Sequence, residues 1–262
     1  MEDIVSNKIN GLDALCSLFE NEDALIEHIV EHPLFFDREM VRDQARDLRA
    51  LIRTGRALPV RFTSNANYFL QHAVKTTTPR FKNKSEAVKF TKYECDPDGH
   101  IDETKCLFHR ETKIRVKIDA DGNYAPKCTI LRYTGHRVSW GQTSTVVNYT
   151  IAHIWAKTDN PLFFNSLWNY ALLPTHCAFI TDKRDDSHLI RAISWELYDP
   201  NRIMDWNQKV VTDEEKPSAQ ARNEAKQLIR EHKIKFLLRN ETLSPVVESS
   251  ASTEGESKED NL

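Results

Sequence analysis

The sequence predicts an α+β fold in which a helical N-terminal region leads into central antiparallel hairpins and then into C-terminal helices. Three observations predict it. Apolar residues from Asn10 to about Arg53 recur at helical spacing, those from Ile114 to Ile118 alternate with period two, and helical spacing returns after Ser187. With 262 residues, 40% hydrophobic and 29% charged, the chain can bury a sizeable core, which excludes collagen-like, mucin-like and wholly disordered classes.

The elements follow in order. Leu12, Leu15, Leu18, Phe19, Leu25, Ile26, Ile29 and Val30 mark helices, Pro33 interrupts them, and Met40, Val41, Leu48, Leu51 and Ile52 resume the pattern. Thr54-Gly55-Arg56 supplies the stop, because Gly55 is free to take positive φ. Ile114, Val116 and Ile118 form a strand, Asp121-Gly122-Asn123 a turn, and Cys128, Ile130 and Leu131 the returning strand of a hairpin. The β-branched run from Val146 to Ile151 is a strand ending at Ala152-His153, and Leu162–Trp168 is a turn or short helix. Tyr170-Ala171-Leu172-Leu173 is a short strand stopped by Pro174, and Thr175 caps a helix running to Lys183. Helices then span Ser187 to about Tyr198 and Ser218 to about Leu238, with Asp199-Pro200-Asn201 as the break between them.

This order gives a helical lead-in over residues 1–75 and an α+β domain over 76–240. Residues 241–262 form a disordered acidic tail, since a Ser/Glu-rich segment cannot bury enough surface to order itself. The formal net charge of −3 is unevenly spread. Residues 1–53 carry 12 acidic groups against 6 basic, whereas Lys75–Lys92 carries six basic residues against Glu86 alone, and residues 216–240 carry seven basic against two acidic. Such local basic stretches suit contact with a phosphate backbone.

No stretch approaches the roughly 18 continuous apolar residues of a membrane-spanning helix, and the start of the chain lacks the pattern of a secretory signal. Five scattered cysteines form no disulfide framework, so the expectation is a cytoplasmic protein without membrane contact.

One ordered set of residues carries chemistry. Strand Tyr149–Ile151 ends at His153, a loop follows, Asn169 precedes the strand Tyr170–Leu173, and His176 and Asp182 fall at the start of the next helix and one turn beyond it. Over residues 149–183 the sequence resembles the HNH, or ββα-metal, endonuclease family, with the module extending over about 146–184. The resemblance implies hydrolysis of phosphodiester bonds in DNA, with His153 as the general base that deprotonates water. A divalent ion, Mg2+ or Mn2+, would bear the charge that develops on the leaving oxygen. Asn169 would pin the loop and aim the His153 ring. The residue before the catalytic histidine, commonly a metal ligand in the family, is Ala152, and the usual helix ligand position falls on Ala178. His176 and Asp182 are the nearest groups that could take the metal role.

Lys82, Lys84, Lys89 and the helix from Ser218 to Leu238 are candidates for gripping the nucleic-acid backbone, and Arg137 lies in a polar loop just before the active-site strand. Trp140 in that loop reads more simply as a core residue. Cys95, His100, Cys106, His109 and Cys128 match no standard zinc knuckle, which argues against structural zinc there. The sequence therefore reads as an HNH-like endonuclease of the restriction, mobile-element or phage-defence kind. The alternative is a catalytically degenerate HNH-like module that binds DNA or regulates, for which Ala152 and Ala178 are the evidence. A palindromic target would call for a homodimer.

Overall fold

A computed structural model describes residues 24, 28, 31–61, 93–95, 107–119, 122–177, 188–206 and 210–240. They form an α+β structure with two four-stranded sheets. The elements are β1 (Leu34–Phe36), α1 (Arg38–Arg53), β2 (Leu58–Val60), β3 (Tyr93–Cys95), β4 (Leu107–His109), β5 (Arg115–Ile118), α2 (Tyr124–Thr134), β6 (Tyr149–His153), the short α3 (Pro161–Phe164), β7 (Tyr170–Pro174), α4 (His188–Tyr198), the short α5 (Pro200–Ile203), α6 (Ala219–Arg230) and β8 (Lys235–Leu237).

The first sheet runs β6-β7-β1-β8. Here β7 is antiparallel to both β6 and β1, while β1 and β8 run parallel. All five residues of β7 are buried, as a central strand covered on both faces requires. The second sheet runs β2-β5-β4-β3, with β2 parallel to β5 and the other pairs antiparallel. The core includes Phe35, Phe36, Val41, Leu48, Trp168, Tyr170, Leu172 and Ile193.

The helix α1 shows how the local chemistry sets the ends. The Asp37 side chain accepts the Glu39 N–H at 2.8 Å, Met40, Val41, Gln44, Ala45 and Leu48 form the buried face, and Gly55 ends the helix at φ +68. Thr54-Gly55-Arg56 thus stops the helix where the sequence places the stop. The segment read as a helical lead-in also contributes a strand to each sheet, β1 directly after Pro33 and β2 after α1.

Two elements differ from the sequence expectation. Residues 128–131 are not the return strand of a hairpin but lie within α2. The Asp119 carboxylate accepts the Ala125 N–H at 2.8 Å at the start of this helix, Pro126 in the first turn needs no donor partner, and Gly135 closes it at φ 72 with its N–H on the Leu131 carbonyl. These end signals outweigh the β-branched content of Thr129 and Ile130, and β5 pairs with β4 and β2 instead. The helix expected to reach Leu238 ends at Arg230. His232 takes φ 55, and residues 235–237 then pair with β1 as β8. After β7 a single 3-10 turn, Thr175–Cys177, is described; the remainder of the helix expected to Lys183, the basic stretch Lys75–Lys92 and the tail from 241 lie outside the described residues.

Candidate functional site

The β6–β7 hairpin positions the site. Its register pairs Tyr149 with Pro174 at one end and His153 with Tyr170 at the other. The connection between them is long, yet it is held at several points. Asn169 is fully buried, its Oδ1 accepts the Trp155 N–H at 2.7 Å, and its Nδ2 donates to the carbonyls of Phe163 at 2.9 Å and Trp155 at 3.2 Å. Within the loop, Asn160 caps α3 through the Leu162 N–H, and the Ser166 hydroxyl donates to the Leu162 carbonyl at 2.7 Å. From α1, Gln44 donates to the Asn165 carbonyl at 2.6 Å and accepts the Leu167 N–H at 3.3 Å; from α2, Thr129 donates to Asn165 Oδ1 at 2.8 Å.

The Phe164 carbonyl is the endpoint of this scaffold. It accepts hydrogen bonds from the Tyr170 hydroxyl and from His153 Nε2, the latter at 3.2 Å. A carbonyl can only accept, so Nε2 carries the proton and Nδ1 keeps its lone pair. Among the described residues Nδ1 has no hydrogen-bond partner. The half-buried ring stacks on Phe164, with centroids 5.3 Å apart and planes 7° from parallel, and meets the edge of Tyr170 at 5.1 Å. Burial pushes its pKa down to about 4; the Phe164 hydrogen bond opposes the shift and the Arg61 cation adds to it. At neutral pH the imidazole is therefore an uncharged proton acceptor in one fixed tautomer.

Arg61 is exposed at the end of β2, and its N–H donates to the Thr158 carbonyl at 2.8 Å, joining the second sheet to the hairpin loop. The influence of this cation on His153 has no counterpart in the sequence reading, because only tertiary packing couples residues 61 and 153.

The other sequence-predicted residues are dispersed. His176 does not join His153. It follows the Pro174 end of the hairpin, four strand positions from the His153 end, or roughly 13 Å at 3.3 Å per residue. A metal site lined by His176 within reach of the His153 general base, as the sequence reading expects, does not fit this register. Instead His176 Nε2 lies 3.1 Å from His28 Nε2, with the buried Cys177 beside them. Burial and the neighbouring imidazoles of His32 and His176 hold His28 below the usual histidine range. Asp182, Lys82, Lys84 and Lys89 lie outside the described residues. Arg137 is exposed before β6, in a loop tied by Thr145, whose hydroxyl accepts the Arg137 N–H at 2.8 Å. Trp140 is half-buried against Tyr124. His109 is buried, with Nδ1 engaged by Thr112.

A second feature is a cleft of about 520 Å³ between α1 and α4–α6, lined by Arg38, Arg42, Arg46, Arg49, Arg202 and Arg222. At 100° per residue the four arginines of α1 fall within a sector of about 80°. Glu196, Asp199 and Asp205 also line the cleft. Arg222 pairs with Glu196, Arg46 with Asp43, and Arg38 donates to the Leu197 carbonyl. Among the described residues no ion pair engages Arg42, Arg49 or Arg202. The i, i+4 spacing of Arg38, Arg42 and Arg46 was the available signal for this stripe, masked in a charge count by the acids around it.

Residues 36–252 match the model of a family described as Uncharacterised protein PM1201. The chain belongs to that family. The PM1201 span includes His153, Asn169, His176, Cys177 and the arginine cleft, and begins after His28. No curated protein and no solved structure matches the chain. No helix among the described residues is long and apolar enough to cross a membrane.

Proposed function

We propose that this PM1201-family chain is an HNH-like endonuclease that hydrolyses phosphodiester bonds in DNA, with His153 as the general base. The observation that carries the reading is the pinned loop. Asn169 clamps it at Trp155 and Phe163, the Phe164 carbonyl takes the Nε2 proton, and Nδ1 is left to accept a proton from water. A phosphate anion bound nearby would raise the His153 pKa from its depressed value toward neutrality, where a base is most effective. Arg61 would position that phosphate, and the arginine stripe of α1 supports a polyanionic partner.

Among the described residues no trio of metal-ligating side chains lies at His153, so the divalent ion implied by the resemblance lacks a ligand set there. The same observation favours a second reading, a degenerate module that binds DNA without cutting it.

Incubation of supercoiled and single-stranded DNA with the purified protein in Mg2+, Mn2+ or EDTA tests both. The nuclease reading expects nicking that falls by about 10²- to 10⁴-fold in His153→Ala. Salt-sensitive binding without nicking under any condition, unchanged in His153→Ala, would establish the binding module instead.

A further inference from the structure

The cluster at the Pro174 end of the hairpin is independent of His153 and of the nuclease reading. His28 Nε2 and His176 Nε2 are 3.1 Å apart although 148 residues separate them in sequence, and one ligand atom each from His28, His176 and Cys177 lies within 4.8 Å of the others. Two nitrogens on neighbouring corners of a tetrahedral zinc site are about 3.3 Å apart, from a metal–nitrogen distance of about 2.05 Å. The two Nε2 atoms share a hydrogen bond at nearly that separation, with ring centroids 5.4 Å apart, and a tilt of each ring would turn both nitrogens onto one ion. His32, four residues after His28, donates from Nδ1 to the His28 carbonyl at 2.7 Å, and its ring lies 4.1 Å from the His28 ring. That contact steadies the His28 ring. Cys177, 2% exposed, presents its sulfur from the protein side, while His28 is half-buried and His176 exposed, which leaves the solvent side open for entry of an ion.

We propose that His28, His176 and Cys177 bind one zinc-class divalent ion, with a fourth coordination position left to water. Two imidazoles and a thiolate select zinc, cobalt or copper over the hard ions magnesium and calcium. The ion ties His28 to the 3-10 turn that follows β7. This site differs in residues and place from the cysteine set of the central region and from any ion at His153.

Cobalt titration of the full-length chain, stripped with chelator and reduced, reads the site directly. The expected result is saturation at one equivalent, with a near-ultraviolet thiolate-to-cobalt charge-transfer band and intense visible bands of a tetrahedral ion, all displaced by zinc. Cys177→Ser should abolish the charge-transfer band. His28→Gln, at a half-buried position that the core does not depend on, should weaken binding at least tenfold and remove the zinc-dependent rise in Tm. His153→Gln should leave the titration unchanged, which separates this site from the proposed catalytic one. Absence of a charge-transfer band in the wild-type chain, or undiminished cobalt binding in His28→Gln, would overturn the proposal.

Discussion

The hydroxyl of Tyr198 both accepts the Phe36 N–H, at 2.9 Å, and donates to the Phe36 carbonyl, at 2.6 Å. At this end of β1 a side chain from α4 thus does the work of a strand neighbour, since β7 pairs with β1 only through Leu34 and Leu172. Tyr198 is 4% exposed, and burial pushes its phenol pKa upward, so the hydroxyl keeps the proton it donates. Tyr198→Phe strands a buried N–H and C=O, and should cost about 2–4 kcal/mol in urea denaturation. A loss under 1 kcal/mol would mean that the edge of β1 finds another partner.

Asn169 is the second structural lever. Asn169→Ala removes three hydrogen bonds inside a sealed site and leaves the Trp155 N–H and the Phe163 carbonyl without them. The expected destabilisation is about 3 kcal/mol or more, measured by chemical denaturation. Asn169→Asp keeps the acceptor, loses both donors and buries a charge, so it should not rescue.

The depressed pKa of His153 fixes the sign of a pH effect. The unfolded imidazole titrates near 6.5 and the folded one at about 4, so the unfolded chain binds the proton first as pH falls. Above pH 6.5 the residue makes no pH-dependent contribution. Between 6.5 and 4 stability drops by up to about 3 kcal/mol, and below 4 the loss levels off. Urea midpoints from pH 7 to pH 4 should show this slope in the wild type and a much smaller one in His153→Gln, where His28, also held below the usual range, still contributes.

The arginine cleft predicts a salt signature. If Arg42 and Arg49 contact phosphates, each change to Gln should weaken DNA binding alike across sequences and lower the slope of log affinity against log salt by about one. Fluorescence anisotropy between 50 and 200 mM salt reads both. Unchanged slopes would move the DNA-binding face elsewhere.

Much of the scaffold was legible in the chain because local signals specify it. The strand ending at His153, the β7 run before Pro174, the stop at Gly55 and the break at Asp199 all rest on residues within one turn of the feature. What local patterning missed were choices made by tertiary partners. Ile130 suits a strand as well as a helix, and the Asp119 side chain at the start of α2 decides it. Phe236 and Leu237 continue an apolar pattern, and the free edge of β1 recruits them as a strand. The ordered set His153 and Asn169 was visible, but its partners were not. The charge of Arg61 acts on His153 from the other sheet, and His28 reaches His176 across half the chain.

The pairing of β1 has a consequence for the order of events during synthesis. Leu34 meets Leu172 on one side and Lys235 on the other, so the strand emerges from the ribosome long before either neighbour exists. Its apolar Leu-Phe-Phe sequence must wait through translation of most of the domain. Pairing at such separation closes large loops late, which slows folding and leaves a sticky edge in the nascent chain. A chain stalled before β8 would therefore hold its first sheet unfinished at the earliest of the described strands.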